Sequence, residues 1–222
     1  MLSYSTKTFY AWLPLCLCLF LFKNLAAADT TNSSVILGYD LAIDNPIWRN
    51  ELVGFGVKNQ LRALLQENLP SLELMDEKTL ASLNSNAYRL NLDNNSKPAW
   101  VLNAASTSPE QLKTLSQQLN IGSIYWVKIT KFAKPKSKLS IALWSSQTES
   151  VELNLEVCRY TASEQTTQCE EGFGSASTNM DAFIYIPVDH SNHQQAHFDQ
   201  AAVGKISYQA LKMSVSALLA KE

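Results

Sequence analysis

Cysteine and histidine, the residues that most often build metal and redox centres, are scarce in this sequence. Its 222 residues include four cysteines and three histidines. No two cysteines have the Cys-x-x-Cys spacing that is typical of thioredoxin-like redox motifs and zinc sites. The cysteines are therefore expected to have a structural role.

Clustered positive charge is missing as well. The 18 Lys and Arg residues are balanced by 20 Asp and Glu residues, and the only basic run, residues 131–138, fits a solvated hairpin turn. A mildly acidic chain without a basic patch is not expected to bind nucleic acid.

The common motifs of catalysis are also absent. Gly172-Phe173-Gly174-Ser175 lacks the residue order of a nucleophile elbow, and Gly54-Phe55-Gly56 is not followed by the Lys and the third Gly of a phosphate-binding loop. Glu170 and Glu171 are adjacent on a predicted strand, so they point to opposite faces and cannot act together on one bond. We therefore expect that the protein is not an enzyme.

The first 28 residues have the pattern of a signal peptide. Lys7 provides a positive start, residues 13–22 form an apolar core that is short for a membrane span, and Ala26-Ala27-Ala28 offers small residues for cleavage. The two cysteines of this segment each follow Leu, so neither matches a lipoprotein signal. We expect cleavage near Ala28 and export to the periplasm, with retention as an uncleaved anchor as the alternative.

Cleavage would leave residues 29–222 as a single domain. The loss of Lys7 and Lys23 changes the formal charge from −2 to −4. Cys158 and Cys169 are then the only cysteines, an even number that fits a disulfide in an oxidising compartment.

A turn at Ser163-Glu164 would place these two cysteines directly opposite each other in an antiparallel hairpin, within range of a disulfide. Cys158 shares its parity with Glu152 and Glu156, so the bridge is expected on the polar face of the hairpin.

Residues 119–177 predict successive strands of an antiparallel meander. Residues 124–129 are apolar at both parities, as in a central strand that is covered on both faces. A turn is expected at residues 134–137, before an alternating strand over residues 139–144. Residues 151–158 then place Val and Leu on one parity and mostly Glu and Asn on the other, which predicts one buried face and one solvated face.

Before the meander, the pattern predicts a strand at residues 35–41, a core helix from Asn45-Pro46 to Asn68, and a short strand near residues 72–75. Asp76 is expected to cap a brief helix that ends at residue 83. Residues 84–107 are rich in Asn and Ser and predict a long surface connection.

Ser108-Pro109-Glu110-Gln111 is a helix start of the capping-box type, and the helix is expected to end at residues 120–122. After the meander, residues 178–197 predict a second long connecting segment. Asp199 is then expected to cap a terminal helix whose apolar face includes Ile206 and Met213. The predicted fold is a single α/β domain of the α+β kind, in which helices flank a mixed, largely antiparallel sheet.

Two stretches resemble the CsgG-like periplasmic domains. Residues 117–127, Gln-Gln-Leu-Asn-Ile-Gly-Ser-Ile-Tyr-Trp-Val, resemble the family's passage from a helix through a Leu-Gly-Ala-Asp step into a buried strand. Residues 198–206, Phe-Asp-Gln-Ala-Ala-Val-Gly-Lys-Ile, resemble the start of its terminal helix, where an aromatic-Asp pair precedes a Gly-Lys step. Residues 72–76 occupy the place of the family's second strand, and the resemblance covers about residues 35–220.

This family includes the curli secretion channel subunit and the LpoB-like lipoproteins that activate a peptidoglycan synthase. The resemblance implies a cell-envelope accessory protein that acts by protein–protein contact. Glu149, Glu152 and Glu156 do not suit a lipid-facing band, so pore formation is not expected. The acyl-anchor Cys of these relatives has no counterpart here, so any association with the outer membrane is expected to be peripheral.

All three histidines, His190, His193 and His197, lie in one segment. Spacings of three and four residues would place the imidazoles on one helical face, where they could bind zinc or copper. Ser, Asn and Gln surround them, which also fits a solvated loop without a metal. A periplasmic metal-binding protein is therefore the alternative to an accessory protein without a cofactor.

Three aromatic residues in the two long segments, Trp100, Phe183 and Tyr185, are candidate anchors for a partner, because aromatic residues dominate protein interfaces. They could equally pack each segment onto its own domain. The expected partner is another envelope protein or a second copy of this chain.

Overall fold

A mixed sheet forms the centre of the computed structural model, which describes residues 33–43, 45–75, 101–102, 107–133, 136–141, 144–178 and 194–221. Its seven strands within these ranges are β1 (Ser33–Leu41), β2 (Glu73–Leu74), β3 (Val101–Leu102), β4 (Ser123–Ala133), β5 (Lys136–Ile141), β6 (Trp144–Thr161) and β7 (Thr166–Thr178). Four α-helices of the described residues accompany it: α1 (Glu51–Asn68), α2 (Pro109–Leu119), α3 (Gln194–Gln200) and α4 (Ala202–Leu219). The α+β fold predicted from the sequence is confirmed.

Parallel and antiparallel pairing meet at the middle of the sheet. β1 pairs in parallel with the short strands β2 and β3 on one side and with β4 on the other. β4 pairs antiparallel with β6, which pairs with β7 on its opposite side. The predicted central strand is confirmed, since β4 lies between β1 and β6 and residues of both its faces, such as Tyr125 and Trp126, are buried.

Each face of the sheet has its own apolar core. On one face, α1, Phe198 of α3 and α4 cover Ile36, Tyr125 and the residues of β6 that are buried on this side, which are Val151, Leu153, Leu155 and Val157. This confirms the predicted alternation of β6. On the other face, α2 covers Val35, Ile124 and Trp126 through Leu112 and Leu115.

The turn predicted at residues 134–137 is wrong. Ala133 faces Glu152 and Lys136 faces Glu149, so the register against β6 continues unchanged from β4 into β5. Ile141 pairs with Trp144, and the chain reverses between these two residues. The predicted strand over residues 139–144 is therefore divided between β5 and β6.

Two asparagine caps replace the single cap predicted before the core helix. Asn45 Oδ1 accepts a hydrogen bond from Ile47 N at 3.0 Å and opens a 3₁₀ turn, Pro46–Arg49. Asn50 Oδ1 then accepts from Leu52 N at 2.9 Å and caps α1. The helix ends at Asn68 as predicted.

The two long connecting segments contain short elements that the sequence did not indicate. Val101–Leu102 pairs with β1 inside the predicted 84–107 connection, and α3 begins inside the predicted 178–197 connection. The predicted signal peptide, the brief helix at residues 76–83 and the rest of the two connections, apart from residues 107 and 178, lie outside the described residues.

The helix before the meander is confirmed. Ser108 Oγ accepts a hydrogen bond from Gln111 N at 3.4 Å, and Asn120 ends α2 in the left-handed conformation with φ of 50°. Leu112 and Leu115 are buried as the apolar spacing predicted.

The terminal helix is also present, with two corrections. Asp199 belongs to α3, and the N-cap of α4 is Ala201, which has no side-chain capping bond. Met213, predicted on the apolar face, is 57% exposed, whereas Ile206 is buried. Of the helices in the described ranges, none is both long and apolar enough to cross a membrane.

Two glycines let α4 lie directly on β7. A Cβ atom on Gly172 would overlap the backbone oxygen of Ala210, and one on Gly174 would overlap the backbone oxygen of Ile206. The sheet and the helix backbone are thus in contact without intervening side chains. Such close approach is a usual reason for glycine within a strand.

Side-chain hydrogen bonds also connect α4 to the sheet. Ser214 Oγ accepts a hydrogen bond from Val157 N at 2.8 Å and donates to the Glu170 carbonyl. At the end of α4, Lys221 donates to the Glu170 carboxylate, and this bond lowers the pKa of Glu170. Helix α4 is therefore tied to both β6 and β7.

We predict that Gly172→Ala and Gly174→Ala each destabilise the protein by on the order of 1–3 kcal/mol, because α4 must move away from β7 to admit the methyl group. The matched control is Ser177→Ala, on the exposed face of the same strand, which should change the free energy of unfolding by less than about 0.5 kcal/mol. Urea unfolding measures all three. Equal stabilities of the glycine variants and the wild type would contradict the close packing.

Candidate binding groove

Phe198 joins the short helix α3 to both long helices. Its ring is buried and lies where a Cβ atom on Gly56 of α1 would be. Its carbonyl oxygen lies where a Cβ atom on Gly204 of α4 would be. The space that a side chain at Gly56 would need is filled by the ring of Phe198. The lack of a side chain at Gly56 therefore leaves room for the ring of Phe198, and its lack at Gly204 leaves room for the Phe198 carbonyl oxygen.

Asp199, the next residue, accepts hydrogen bonds from two side-chain amides. Its Oδ1 accepts hydrogen bonds from Gln60 Nε2 at 2.8 Å and from Gln195 Nε2 at 2.9 Å. Gln60 Nε2 also donates to the carbonyl of Gly204 at 3.1 Å, and Asn59 Nδ2 donates to Gln195 Oε1 at 3.0 Å. We call Phe198, Asp199, Gln60, Gly56 and Gly204 the α3 clamp.

Two residues of the α3 clamp, Gln60 and Asp199, line a groove of about 460 Å³ between α1, α3 and α4. Ligand sites in proteins typically occupy about 300–1,000 Å³. The groove is lined by Asn59, Gln60 and Ala63 of α1, Gln195 and Asp199 of α3, and Lys205, Tyr208 and Gln209 of α4.

Amide groups dominate the polar lining of this groove, with one side chain of each charge. Gln60 is only 4% exposed, and its Oε1 has no hydrogen-bond partner among the described residues. Both hydrogen bonds donated by Nε2 fix the orientation of this amide. A buried acceptor without a partner costs free energy. The described lining residues offer hydrogen-bonding side chains to a ligand.

We predict that the effect of Gly56→Ala on the free energy of unfolding depends on the side chain at Phe198. Gly56→Ala should cost about 1–3 kcal/mol of stability in the wild type, because the methyl group overlaps the ring of Phe198. In a Phe198→Ala background the same substitution should be neutral or stabilising, since Ala is the better helix former by about 1 kcal/mol.

Gly204→Ala is the matched control for this cycle. Its methyl group meets the backbone oxygen of residue 198, which remains in Phe198→Ala, so its cost should persist in both backgrounds. Chemical denaturation of the single and double variants gives the coupling energies. If Gly56→Ala lowered the free energy of unfolding equally in the two backgrounds, the ring of Phe198 would not occupy the space beside Gly56.

The Cys158–Cys169 disulfide closes the β6–β7 hairpin, with the two cysteines directly opposite each other. Thr161 pairs with Thr166, so the turn is centred where the sequence placed it. The bridge lies on the face that carries Glu156, as the parity predicted, and the Glu156 carboxylate is within 4.8 Å of both sulfurs. This face is only partly solvated there, because Cys158 is 1% exposed and belongs to the core under α2, whereas Cys169 is exposed.

We expect Cys158→Ala/Cys169→Ala to lower the free energy of unfolding by about 2–3 kcal/mol, as the cysteines are separated by 11 residues and the cross-link restricts a short loop of the unfolded chain. Intact mass under non-reducing conditions should show the loss of two hydrogen atoms in the exported protein. Two free thiols there would contradict this bridge.

Beyond α2, the same face of the sheet carries a row of charges. Asp40, Lys128 and Glu156 lie side by side on β1, β4 and β6, and Lys128 Nζ lies 3.3 Å from Glu156 Oε2. Burial raises the pKa of Asp40, and Lys128 opposes this shift in part. These groups are partly exposed, so the row contributes little to stability and forms a polar surface.

Most of the predicted site residues lie outside the described part of the chain. This holds for Trp100, Phe183, Tyr185, His190 and His193, so their partner-binding and metal-binding roles stay predictions. His197 is described and lies half-buried on α3.

Sequence reasoning did not single out Gln60, Tyr208 or Lys205. Gln60 looked like one more polar residue between the apolar positions Val57 and Leu61, and its role depends on residues more than 130 positions away. The one available signal was the Gly204-Lys205 step of the family resemblance.

Comparison with known proteins gives matches only among solved structures. No protein-family model and no curated protein matches the chain. The lipoprotein GNA1162 from Neisseria meningitidis is 10% identical, with 85% of this chain and 96% of that chain covered and a TM-score of 0.43. The PelC dodecamer from Paraburkholderia phytofirmans is 5% identical, with coverages of 83% and 86% and a TM-score of 0.37.

The C-terminal domain of LpoB from Salmonella enterica is also similar, at 10% identity, with 76% of this chain and all of that domain covered and a TM-score of 0.35. These neighbours thus include bacterial lipoproteins and an LpoB domain. At such identities and scores they assign no role to any residue of this chain.

Proposed function

We propose that this protein is an exported, non-enzymatic accessory protein of the bacterial cell envelope that acts by binding another envelope protein or a second copy of itself. The observation that carries this proposal is the groove between α1, α3 and α4. Its lining offers hydrogen-bonding amides and an aromatic side chain, Tyr208, which is 39% exposed. The α3 clamp holds one wall in place, so binding requires little ordering of the groove.

Export to the periplasm is supported by the leader-like residues 1–28 and by the disulfide. Disulfides persist in oxidising compartments and are rare in a reducing cytosol. The bridge joins the two cysteines that remain once the leader is removed.

Membership of the CsgG-like group is part of the proposal. The described elements β1, α1, β2, α2, meander and α4 follow the order predicted from the sequence, in which the helix predicted at residues 76–83 lies outside the described residues. The aromatic-Asp pair and the Gly-Lys step of that resemblance now have a physical role, because Phe198, Asp199 and Gly204 belong to the α3 clamp.

The proposal predicts a cross-link from the surface of α4 to an envelope protein. A photo-reactive phenylalanine analogue is placed at Tyr208, in the groove, and at Met213, which is exposed on the same helix outside it. In intact cells the mature protein should fractionate with the periplasm, begin near residue 29, and give a product of higher mass.

A product of twice the protein's own mass would identify self-association, and any other mass would identify a partner. Recovery of the protein with reduced cysteines in the cytosol would contradict the proposal. So would the absence of a cross-linked product at every exposed position tested on both faces of the domain.

A further inference from the structure

Strand β7 has a long outer edge that faces away from β6. The strand is 13 residues long, and among the described strands only β6 pairs with it. The register against β6 continues without a shift along the whole of β7. Edge strands in proteins are usually short, or carry a bulge, a proline or a lysine that prevents further pairing, and β7 has none of these. A long, regular edge of this kind can accept a further strand.

The main-chain groups at this edge belong to alternate residues of β7. The Cα atoms of Cys158 and Cys169 are 4.0 Å apart, which is the close spacing of an antiparallel pair that exchanges no main-chain hydrogen bonds. Even-numbered residues such as Gly172 therefore bond to β6. Odd-numbered residues such as Glu171 and Phe173 direct their N–H and C=O groups outward, where no main-chain group of the described residues bonds to them.

Two exposed apolar side chains flank this edge, one on each face of the sheet. Two glycines of β7 face α4, so the ring of Phe173 lies on the opposite face, where it is 43% exposed. On the other face, Gln209 of α4 accepts a hydrogen bond from the outward N–H of Ser175 at 3.3 Å, so this side of the helix reaches the edge. Met213 follows one turn later on the same side of α4 and is also exposed. An added strand would meet an apolar group on each face.

A second copy of this chain cannot supply that strand from its own β7. Helix α4 lies directly on the β7 backbone at Gly172 and Gly174, and the same helix would accompany the second strand. Paired strands lie about 4.8 Å apart, whereas the axes of packed helices are about 8–10 Å apart. The two copies of α4 would therefore overlap. The edge can accept only a strand without a helix above it, such as an extended segment of a partner protein.

We propose that the outer edge of β7 binds an extended, apolar segment of a partner protein as an added strand. Main-chain groups of the segment pair with those of Glu171 and Phe173. Successive side chains of the segment point to opposite faces, so one apolar residue contacts the ring of Phe173 and the next contacts Met213. This inference rests on the proposed function and adds to it a contact surface outside the groove.

Amide hydrogen exchange of the intact mature protein tests whether the edge is open. The amides of Glu171 and Phe173 should exchange about tenfold faster or more than those of Gly172 and Gly174, which bond to β6. Equal protection of all four amides in the purified protein would show that the edge is already covered, and the inference would then be wrong.

Binding is tested with a phage-displayed library of random linear peptides selected on the mature protein. Selected peptides should carry apolar residues at adjacent positions and should slow the exchange of the Glu171 and Phe173 amides. Glu171→Pro removes one outward N–H and leaves the ladder with β6 in place, so it should weaken binding by about tenfold or more. Glu171→Ala, the matched control, keeps this N–H and should bind as the wild type does.

A second pair of variants tests the apolar flank. Phe173→Lys places a charge beside the edge, as natural edge strands do to prevent pairing, and should also weaken peptide binding by about tenfold or more. Phe55→Lys makes the same change at an exposed position of α1 and should leave binding intact. Circular dichroism confirms that each variant is folded.

Three outcomes of these binding experiments would overturn the inference. These are the selection of no peptide, equal binding by Glu171→Pro and Glu171→Ala, and self-association of the wild type that Glu171→Pro abolishes, which would assign the edge to a second copy. The cross-linking experiment separates this failure from that of the proposed function. A partner captured at Tyr208 and retained by Glu171→Pro would leave the accessory role standing and remove the edge from it.

Discussion

The contact of the α4 backbone with β7 is the constraint on which the rest of the structure depends. Gly172 and Gly174 remove the side chains that would otherwise separate helix and strand. Because the helix lies so close, Ser214 can bond to both β6 and β7, and the buried residues of β6 are covered without a gap. The position of α4 in turn fixes where Gly204 meets α3.

The groove is a consequence of this arrangement. Helix α3 has only seven residues and could not hold its place by its own hydrogen bonds, since short isolated helices are marginal in water. Phe198 supplies the apolar anchor and Asp199 the polar one, and both reach α1. Helix α3 is thus held in place by tertiary contacts, and its position depends on the packing of α1 against α4.

Local patterns predicted much of the fold, and contacts between distant residues account for what they missed. The alternation of β6, the capping of α2 by Ser108 and the opposed cysteines all depend on residues close in sequence or on a simple hairpin register. The predicted cap at Asp199 was wrong because Asp199 lies inside α3, where its carboxylate accepts hydrogen bonds from Gln60 and Gln195, and α4 begins only at Ala202. The groove depends on three helices at once, so no single stretch of sequence indicated it.

The unequal exposure of the two cysteines also affects how the bridge behaves once it has formed. Because Cys169 is exposed and Cys158 is buried, we expect an external thiol to attack at Cys169, and the thiolate expelled from Cys158 would then lie under α2 among apolar side chains. Such surroundings disfavour a negative sulfur, and a poor leaving group slows exchange. Helix α2 therefore acts as a cover against reductants, and we expect the hairpin to keep its cross-link for as long as that cover is folded.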